Sequence, residues 1–349
     1  MKREEIEARV KHGEVIARVD LSEVDLRGAK FEGAVFEDVN LRHAALDGAS
    51  FKESILVGCD LSAASLVGVN LHLVNADRCA FASAVLDGAR LVGAKVVKSY
   101  LPYARFVGAD LTMAGWVSST LARACFREAA LDRTSFMDCQ VEGADFSATH
   151  LRMVTLLKAD LRAAALEGAR FEAATLAEAD LTGRDLRGMD FTRCQLMSAK
   201  MVGCDLRGAT LRQCNFKGAD LQGAQLDGAD ARNAIFIEAN LAGASLREAR
   251  LTQALMIDVA LEDADLSGAT MDQVMLKKAR CARARFAGVD LTYADLSHAD
   301  LTAADLTGAV MFRAVLHAVT DARAVIPGRA LALGTDLDRL RAERWRPPV

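Results

Sequence analysis

The sequence predicts an all-β solenoid with four walls per coil. Three observations predict it: a large apolar residue at every fifth position, a small residue two places before each, and glycines returning every twenty residues. A helix repeats every ~3.6 residues and a strand every two. In the stretch ADLSHADLTAADLTGA, Leu296, Leu301 and Leu306 fall five apart and fit neither period.

The register is long and unbroken. Of the 60 positions ending in 1 or 6 from Leu21 to Leu316, 37 are Leu, 13 Phe and 4 Met, and none is charged. Positions two earlier are mostly Ala, with Val, Cys, Ser and Thr. In an extended segment residues i−2 and i point to one side and i−1 to the other. A five-residue repeat cannot stay in strand phase, so each repeat is one short wall and one corner. Internal repeats of this kind stack into a continuous core.

Glycine sets the number of walls. Two places after the central residues Leu26, Leu46, Leu66 and onward, Gly occurs in 12 of 15 repeats. Gly suits a corner with positive φ, so one corner returns after four repeats. We number the walls by their central residues: the first holds 21, 41, 61, the second 26, 46, 66, the third 31, 51, 71, and the fourth 36, 56, 76. The count gives about 15 coils at the ~4.8 Å strand spacing.

Repeats such as ADLSH, ADLTA, ANLAG and ADLQG resemble the A-[DN]-L-x-x unit of the pentapeptide-repeat family, over roughly residues 14–320. The resemblance implies a right-handed quadrilateral β-helix, often dimeric through its C-terminal ends. It also implies membership of a family whose fold says little about role. That family includes DNA mimics that protect topoisomerases, secreted effectors and proteins of bacterial secretion clusters. Residues 1–13 read as an N-terminal helical cap with Ile6 and Val10 on one face, 14–320 as the solenoid, and 321–349 as a C-terminal tail. Thr335 and Asp338 resemble a capping box, opening a helix of about ten residues with Leu337, Leu340 and Trp345. These three are candidates for a C-terminal contact.

Inside, Phe106, Phe126 and Phe146 should stack along the second wall, as should the pairs Phe31/Phe51, Phe171/Phe191 and Phe216/Phe236. Gly115 stands before Trp116 out of register and suggests a local bulge. Six of the eight Cys (Cys59, Cys79, Cys139, Cys194, Cys204, Cys214) hold small-residue positions and read as buried thiols in place of Ala. No CxxC and no Cys/His spacing typical of zinc occurs. The six His are scattered, and no nucleophile–base pattern appears. We therefore expect no enzyme activity, no cofactor, no metal and no small-molecule substrate.

The outward residues are uneven. At i−1 and i+1 the fourth wall carries 14 large aliphatic side chains: Val35, Ile55, Val57, Val97, Val117, Met137, Leu157, Met197, Ile235, Ile237, Leu255, Ile257, Met275 and Val315. The other walls carry one to three each. At about 50 Å² each the stripe approaches ~700 Å², beyond what a monomer usually leaves bare. A protein partner or a second copy is the expected occupant, and cover by the chain's own tail is the alternative.

Charge bears on the DNA-mimic reading. The chain has net charge −4, and the first and second walls together carry about −9. Duplex DNA over a matching length carries about 40 charges, so the imitation is poor. The mild balance also argues against direct nucleic-acid binding. No apolar run approaches the ~20 residues of a membrane span. The opening MKREEIEARVKHGE lacks the apolar core of a secretory signal. A cytoplasmic bacterial protein is expected, with export by a specialised secretion system left open.

Overall fold

The computed structural model describes residues 3–345. Residues 1–2 and 346–349, which belong to the expected cap and tail, lie outside the described residues. The chain divides into two units, Met1–Ala179 and Asp180–Val349.

The first unit opens with helix α1, Arg3–Lys11, whose Ile6 is fully buried. Arg3 donates to the carbonyls of Arg27 and Gly28 at 2.7 and 2.9 Å, and Glu7 accepts the Lys30 N–H at 3.0 Å. These groups occupy backbone positions that the first coil would otherwise leave open at its edge. The strands are short: β1 Ile16–Ala17, β2 Val35–Glu37, β3 Ile55–Val57, β4 Asn75–Asp77, β5 Lys95–Val97, β6 Gly115–Val117, β7 Ser135–Met137, β8 His150–Arg152, β9 Thr155–Leu156 and β10 Arg170–Glu172. The main parallel sheet runs β1-β2-β3-β4-β5-β6-β7-β9, and β10 pairs with β8. The register is twenty residues throughout, as in Phe36↔Leu56 and Val96↔Trp116. The sheet proper has eight rungs, against about fifteen coils counted in the sequence. Single parallel bridges continue the same register on the other walls, such as Asp25↔Ala45 and Lys30↔Ser50.

In the second unit every rung is a single bridge among the described residues, from Asp180↔Lys200 to Asp305↔Val325. The repeating unit is local and uniform. Leu226 N–H donates to Ser245 O at 2.6 Å, Ser245 N–H donates to Ala224 O at 2.9 Å, and Ala229 N–H closes the corner onto Leu226 O at 3.0 Å. Central residues such as Leu226, Phe236 and Leu246 are buried at 1% or less, with the small Ala224 and Ala234 beside them.

Glycine does not single out one corner. Among the described residues forty non-glycine residues have positive φ, all at positions ending in 3 or 8, and they include Leu73, Met113, Arg193 and Tyr293. All four corners therefore use the left-handed region. Gly merely relieves a strain of about 1–2 kcal/mol there, and the stacked hydrogen bonds impose it elsewhere. The twenty-residue glycine period still gives the correct coil length.

The fourth wall of the first unit differs from the rest for a reason visible in its side chains. From Phe36 to Phe136 its corners lack the i→i+3 hydrogen bond found at, for example, Ala34 N–H to Phe31 O, and the bond returns at Ala179 N–H to Leu176 O. The column after that wall reads Val39, Cys59, Cys79, Ser99, Ser119, Cys139. Cys79 N–H donates to Ser99 Oγ, and Ser99 N–H to Ser119 Oγ, each at 3.1 Å. Val39, Cys59 and Ser119 N–H likewise meet the sulfurs of Cys59, Cys79 and Cys139. Cys59 and Cys79 in turn donate to Phe36 O and Leu56 O at 3.5 and 3.4 Å. The side chain of one coil thus replaces the turn bond of the coil before it, and the wall relaxes into true strand. These Cys and Ser are hydrogen-bonding parts of the corner, more than bulk in place of Ala.

Core stacking follows the columns. Phe106–Phe126 and Phe126–Phe146 have ring centroids 5.0 and 5.2 Å apart and nearly parallel planes; Phe216–Phe236 stack at 4.9 Å, and Phe31–Phe51 are tilted at 5.1 Å. Trp116 is 1% exposed and stacks on Phe136 at 6.1 Å. Gly115 makes no bulge: it sits in β6 in regular register with Lys95 and Ser135.

At the end of the second unit a 3₁₀ turn, Pro327–Leu331, leads to helix α2, Leu337–Arg344. The expected capping box is replaced. Asp336 is the N-cap and accepts from Asp338 and Arg339 N–H, while Thr335 accepts from Ala318 N–H at 3.2 Å. The helix is eight residues long and Trp345 follows it in extended backbone.

Candidate interaction surface

In the first unit the i+1 column of the fourth wall places Val97, Val117 and Met137 on successive rungs, with Leu157 one coil further on, and Val35 pairs with Ile55 in the i−1 column. Ile55 and Met137 are 42% and 47% exposed, whereas Val35, Val57, Val97, Val117 and Leu157 are half-buried. Asn75, Asp77 and Lys95 interrupt the apolar columns. Sequence counting of i−1 and i+1 misses the adjoining corner, where Leu73, Met113 and Met153 are 49%, 52% and 48% exposed. Gly93 lies between Leu73 and Met113, and the Leu73 side chain lies over it: a Cβ on Gly93 would stand 2.8 Å from Leu73 Cδ2.

The second unit gathers its residues more tightly. Ile235, Leu255 and Met275 are bridged in register in the i−1 column. Ile237 and Ile257 stand on the same rungs in the i+1 column, and that column has Lys217 before them and Lys277 after. The five apolar side chains are half-buried. Met197 stands apart, at 36% exposure. Lys277 pairs with Asp295 at 3.2 Å.

The tail covers only the end of this wall. Ser297 and His317 hold outward i+1 positions yet are 0% and 1% exposed. His317 Nδ1 accepts from Asp336 N–H at 3.2 Å, and its Nε2 lies 3.0 Å from Glu343 of α2. The candidate tail residues are exposed, Leu337 at 63% and Trp345 at 68%, with Leu340 half-buried. No described α2 side chain is buried, its hydrogen bonds and ion pairs to the coils fall on His298 and His317, and the Ile235–Met275 side chains keep partial exposure.

The carboxylates of the outer walls are largely committed. Asp25, Asp185 and Asp205 each take the backbone N–H and guanidinium of the arginine two residues on. Hydrogen bonds from those arginines hold Asp25 and Asp185 down at a pKa of about 2. Burial pushes Asp230 up, but Arg232 and Arg212 outweigh it and bring it to about 2. Thiol chemistry is muted: burial raises Cys139 and Cys204 to about 11 and shifts Cys214 and Cys281 in the same direction. Such thiols are protonated at neutral pH and poor nucleophiles.

The family profiles agree with this architecture. The profile for pentapeptide repeats matches residues 20–56, 44–81, 54–91, 174–213, 214–253, 254–292 and 279–317, and a pentapeptide repeat region profile matches 109–186. The chain belongs to the pentapeptide-repeat family. No curated protein matches it significantly. Among solved structures it is similar to HetL, a pentapeptide repeat protein involved in heterocyst differentiation regulation in Nostoc sp. strain PCC 7120. That match has 23% identity over 90% of this chain and 96% of HetL, with TM-score 0.27. It is also similar to QnrB1, a plasmid-mediated fluoroquinolone resistance protein, at 21% identity over 57% of this chain and 91% of that one, with TM-score 0.37. A pentapeptide repeat protein of the Arabidopsis thaliana thylakoid lumen shares 31% identity over 35% of this chain and 67% of its own, with TM-score 0.16.

Pentapeptide-repeat proteins are generally non-enzymatic. Among the described residues of this member, one cluster of ligating side chains does form: His298, His317 and Glu343. Sequence spacing gave no sign of it, because the three are 19 and 26 residues apart and Glu343 arrives on α2. No described helix is long and apolar enough to cross a membrane.

Proposed function

We propose that this pentapeptide-repeat protein is a non-enzymatic binding scaffold, engaging a protein surface through the apolar side chains of its fourth wall. The surface belongs to a partner or to a second copy. The observation that carries the reading is the in-register patch Ile235, Ile237, Leu255, Ile257 and Met275, partly exposed and bounded by Lys217 and Lys277. Apolar side chains grouped on successive rungs desolvate together, which favours a docked surface over scattered single contacts. β-branched residues suit β walls anywhere, yet the other walls do not collect large aliphatic side chains. Bacterial secretion-system accessory or effector is the most concrete version of this role, and family resemblance is its support.

The alternative, a DNA mimic acting on a type II topoisomerase, has weaker support. A mimic needs free, regularly spaced negative charge, whereas Asp25, Asp185, Asp205 and Asp230 are neutralised by arginines at 2.5–2.7 Å.

The test is Ile237→Asp combined with Ile257→Asp. The positions face outward, so circular dichroism should match wild type. Light-scattering mass should fall where a second copy is the occupant, and capture of an identified partner should fall where a partner is. Unchanged mass and unchanged capture would remove the proposal.

A further inference from the structure

Helix α2 is a puzzle on its own terms. Eight residues make a marginal helix in water, and this one buries none of its side chains. It nevertheless carries Glu343 onto two imidazoles from consecutive coils, whose corners are joined by the 2.8 Å hydrogen bond from His298 N–H to His317 O. His317 Nε2 and His298 Nε2 lie 3.0 and 3.1 Å from the same Glu343 oxygen, and the three ligating atoms all fall within 4.8 Å of one another. The other Glu343 oxygen is held by Arg339 Nε at 2.8 Å.

We propose that His298, His317 and Glu343 form a binding site for a divalent transition ion of the zinc class, which clips α2 onto the last coils. The chemistry and spacing fit. Two imidazoles and a carboxylate are a common zinc set that leaves a fourth position for water. Bonds of ~2.0–2.1 Å at a tetrahedral centre put ligand atoms about 3.4 Å apart; the two His–Glu343 distances are within a few tenths of an ångström of that, and the two imidazole nitrogens, within 4.8 Å of each other, are the pair that adjusts on loading. Arg339 supplies the outer-shell contact that fixes a ligating carboxylate. His317 is buried, which orders its ring in advance, and His298 and Glu343 leave the open side to solvent.

Loading changes one contact. In the free protein His317 Nδ1 accepts from Asp336 N–H, so the neutral ring carries its proton on Nε2 and donates it to Glu343. The ion takes Nε2, the ring proton moves to Nδ1, and the 3.2 Å contact at the start of α2 opens. Metal therefore exchanges a hydrogen-bonded latch for a coordinated one.

The experiment uses the full chain stripped of metal and titrated with Zn²⁺ in a calorimeter, alongside His298→Asn and Glu343→Gln. Asn suits the left-handed backbone of position 298 (φ 62°), and both variants change exposed side chains. One site per chain is expected, with affinity reduced by at least about 100-fold in each variant, because losing a ligand costs no less than losing an outer-shell contact. Zn²⁺ should also slow proteolytic cleavage between Ala332 and Trp345 in wild type alone. Stoichiometry well below one, or equal affinity in wild type and both variants, would overturn the proposal by placing the ion on other histidines.

Discussion

Phe126 offers a direct measure of how the coils hold one another. It is fully buried in the first unit, stacked on Phe106 and Phe146 and edge-on to Phe136 at 5.6 Å. Each aromatic pair contributes about 0.5–1.5 kcal/mol beyond burial. Phe126→Leu keeps most of the volume but gives up all three pairs, so the cost is about 1.5–4.5 kcal/mol before any cavity term. The informative quantity is the coupling. In a double-mutant cycle by urea unfolding, Phe126→Leu with Phe146→Leu should couple by about 0.5–1.5 kcal/mol. Phe51→Leu with Phe126→Leu, more than three coils apart and with no shared ring partner, should be additive within about 0.5 kcal/mol. A solenoid stacks only nearest neighbours. Additivity in the neighbouring pair, or equal coupling in the distant pair, would refute the reasoning.

Two further outcomes follow from named contacts. Ser119→Ala removes the acceptor of the buried Ser99 N–H and should cost about 1–3 kcal/mol in urea unfolding. Ser119→Cys, the residue used elsewhere in that column, should retain most of the stability; equal loss in both would contradict the side-chain corner. Asp230, held at about 2 by its arginines, contributes stability that is full above the ordinary carboxylate range and is lost as pH falls toward 2. The gap in thermal midpoint between wild type and Asp230→Asn should therefore close between about pH 4 and pH 2, and a pH-independent gap would count against the ion pairs.

What was legible in the sequence is what one coil dictates to itself. Leu296 and its fellows must point inward because nothing else in the repeat can fill the core, and the glycine column counts four corners because a column returns once per coil. Three things were hidden because they depend on contacts between coils or on the tail. The left-handed backbone at Arg193 or Tyr293 is imposed by stacking and not by the residue. The true strand of the fourth wall depends on Cys59, Cys79, Ser99 and Ser119 bonding to the preceding coil, a signal present in the sequence as departures from Ala. The meeting of His298 and His317 with Glu343 needs α2 to fold back, which no spacing announces. The apolar wall was readable as a count, but its strongest part became visible only when Ile235, Leu255 and Met275 fell on successive bridges, and Leu73, Met113 and Met153 were missed because they sit at a corner.

The most direct test of the proposed surface uses the lysines that bound it. Lys217 and Lys277 lie in the same column as Ile237 and Ile257. The associated protein, treated with a lysine-reactive cross-linker and digested, should show intermolecular links concentrated on these two residues and depleted in the Ile237→Asp, Ile257→Asp variant. Intermolecular links confined to lysines away from the patch, such as Lys30 and Lys52, and unchanged by the variant, would contradict the account.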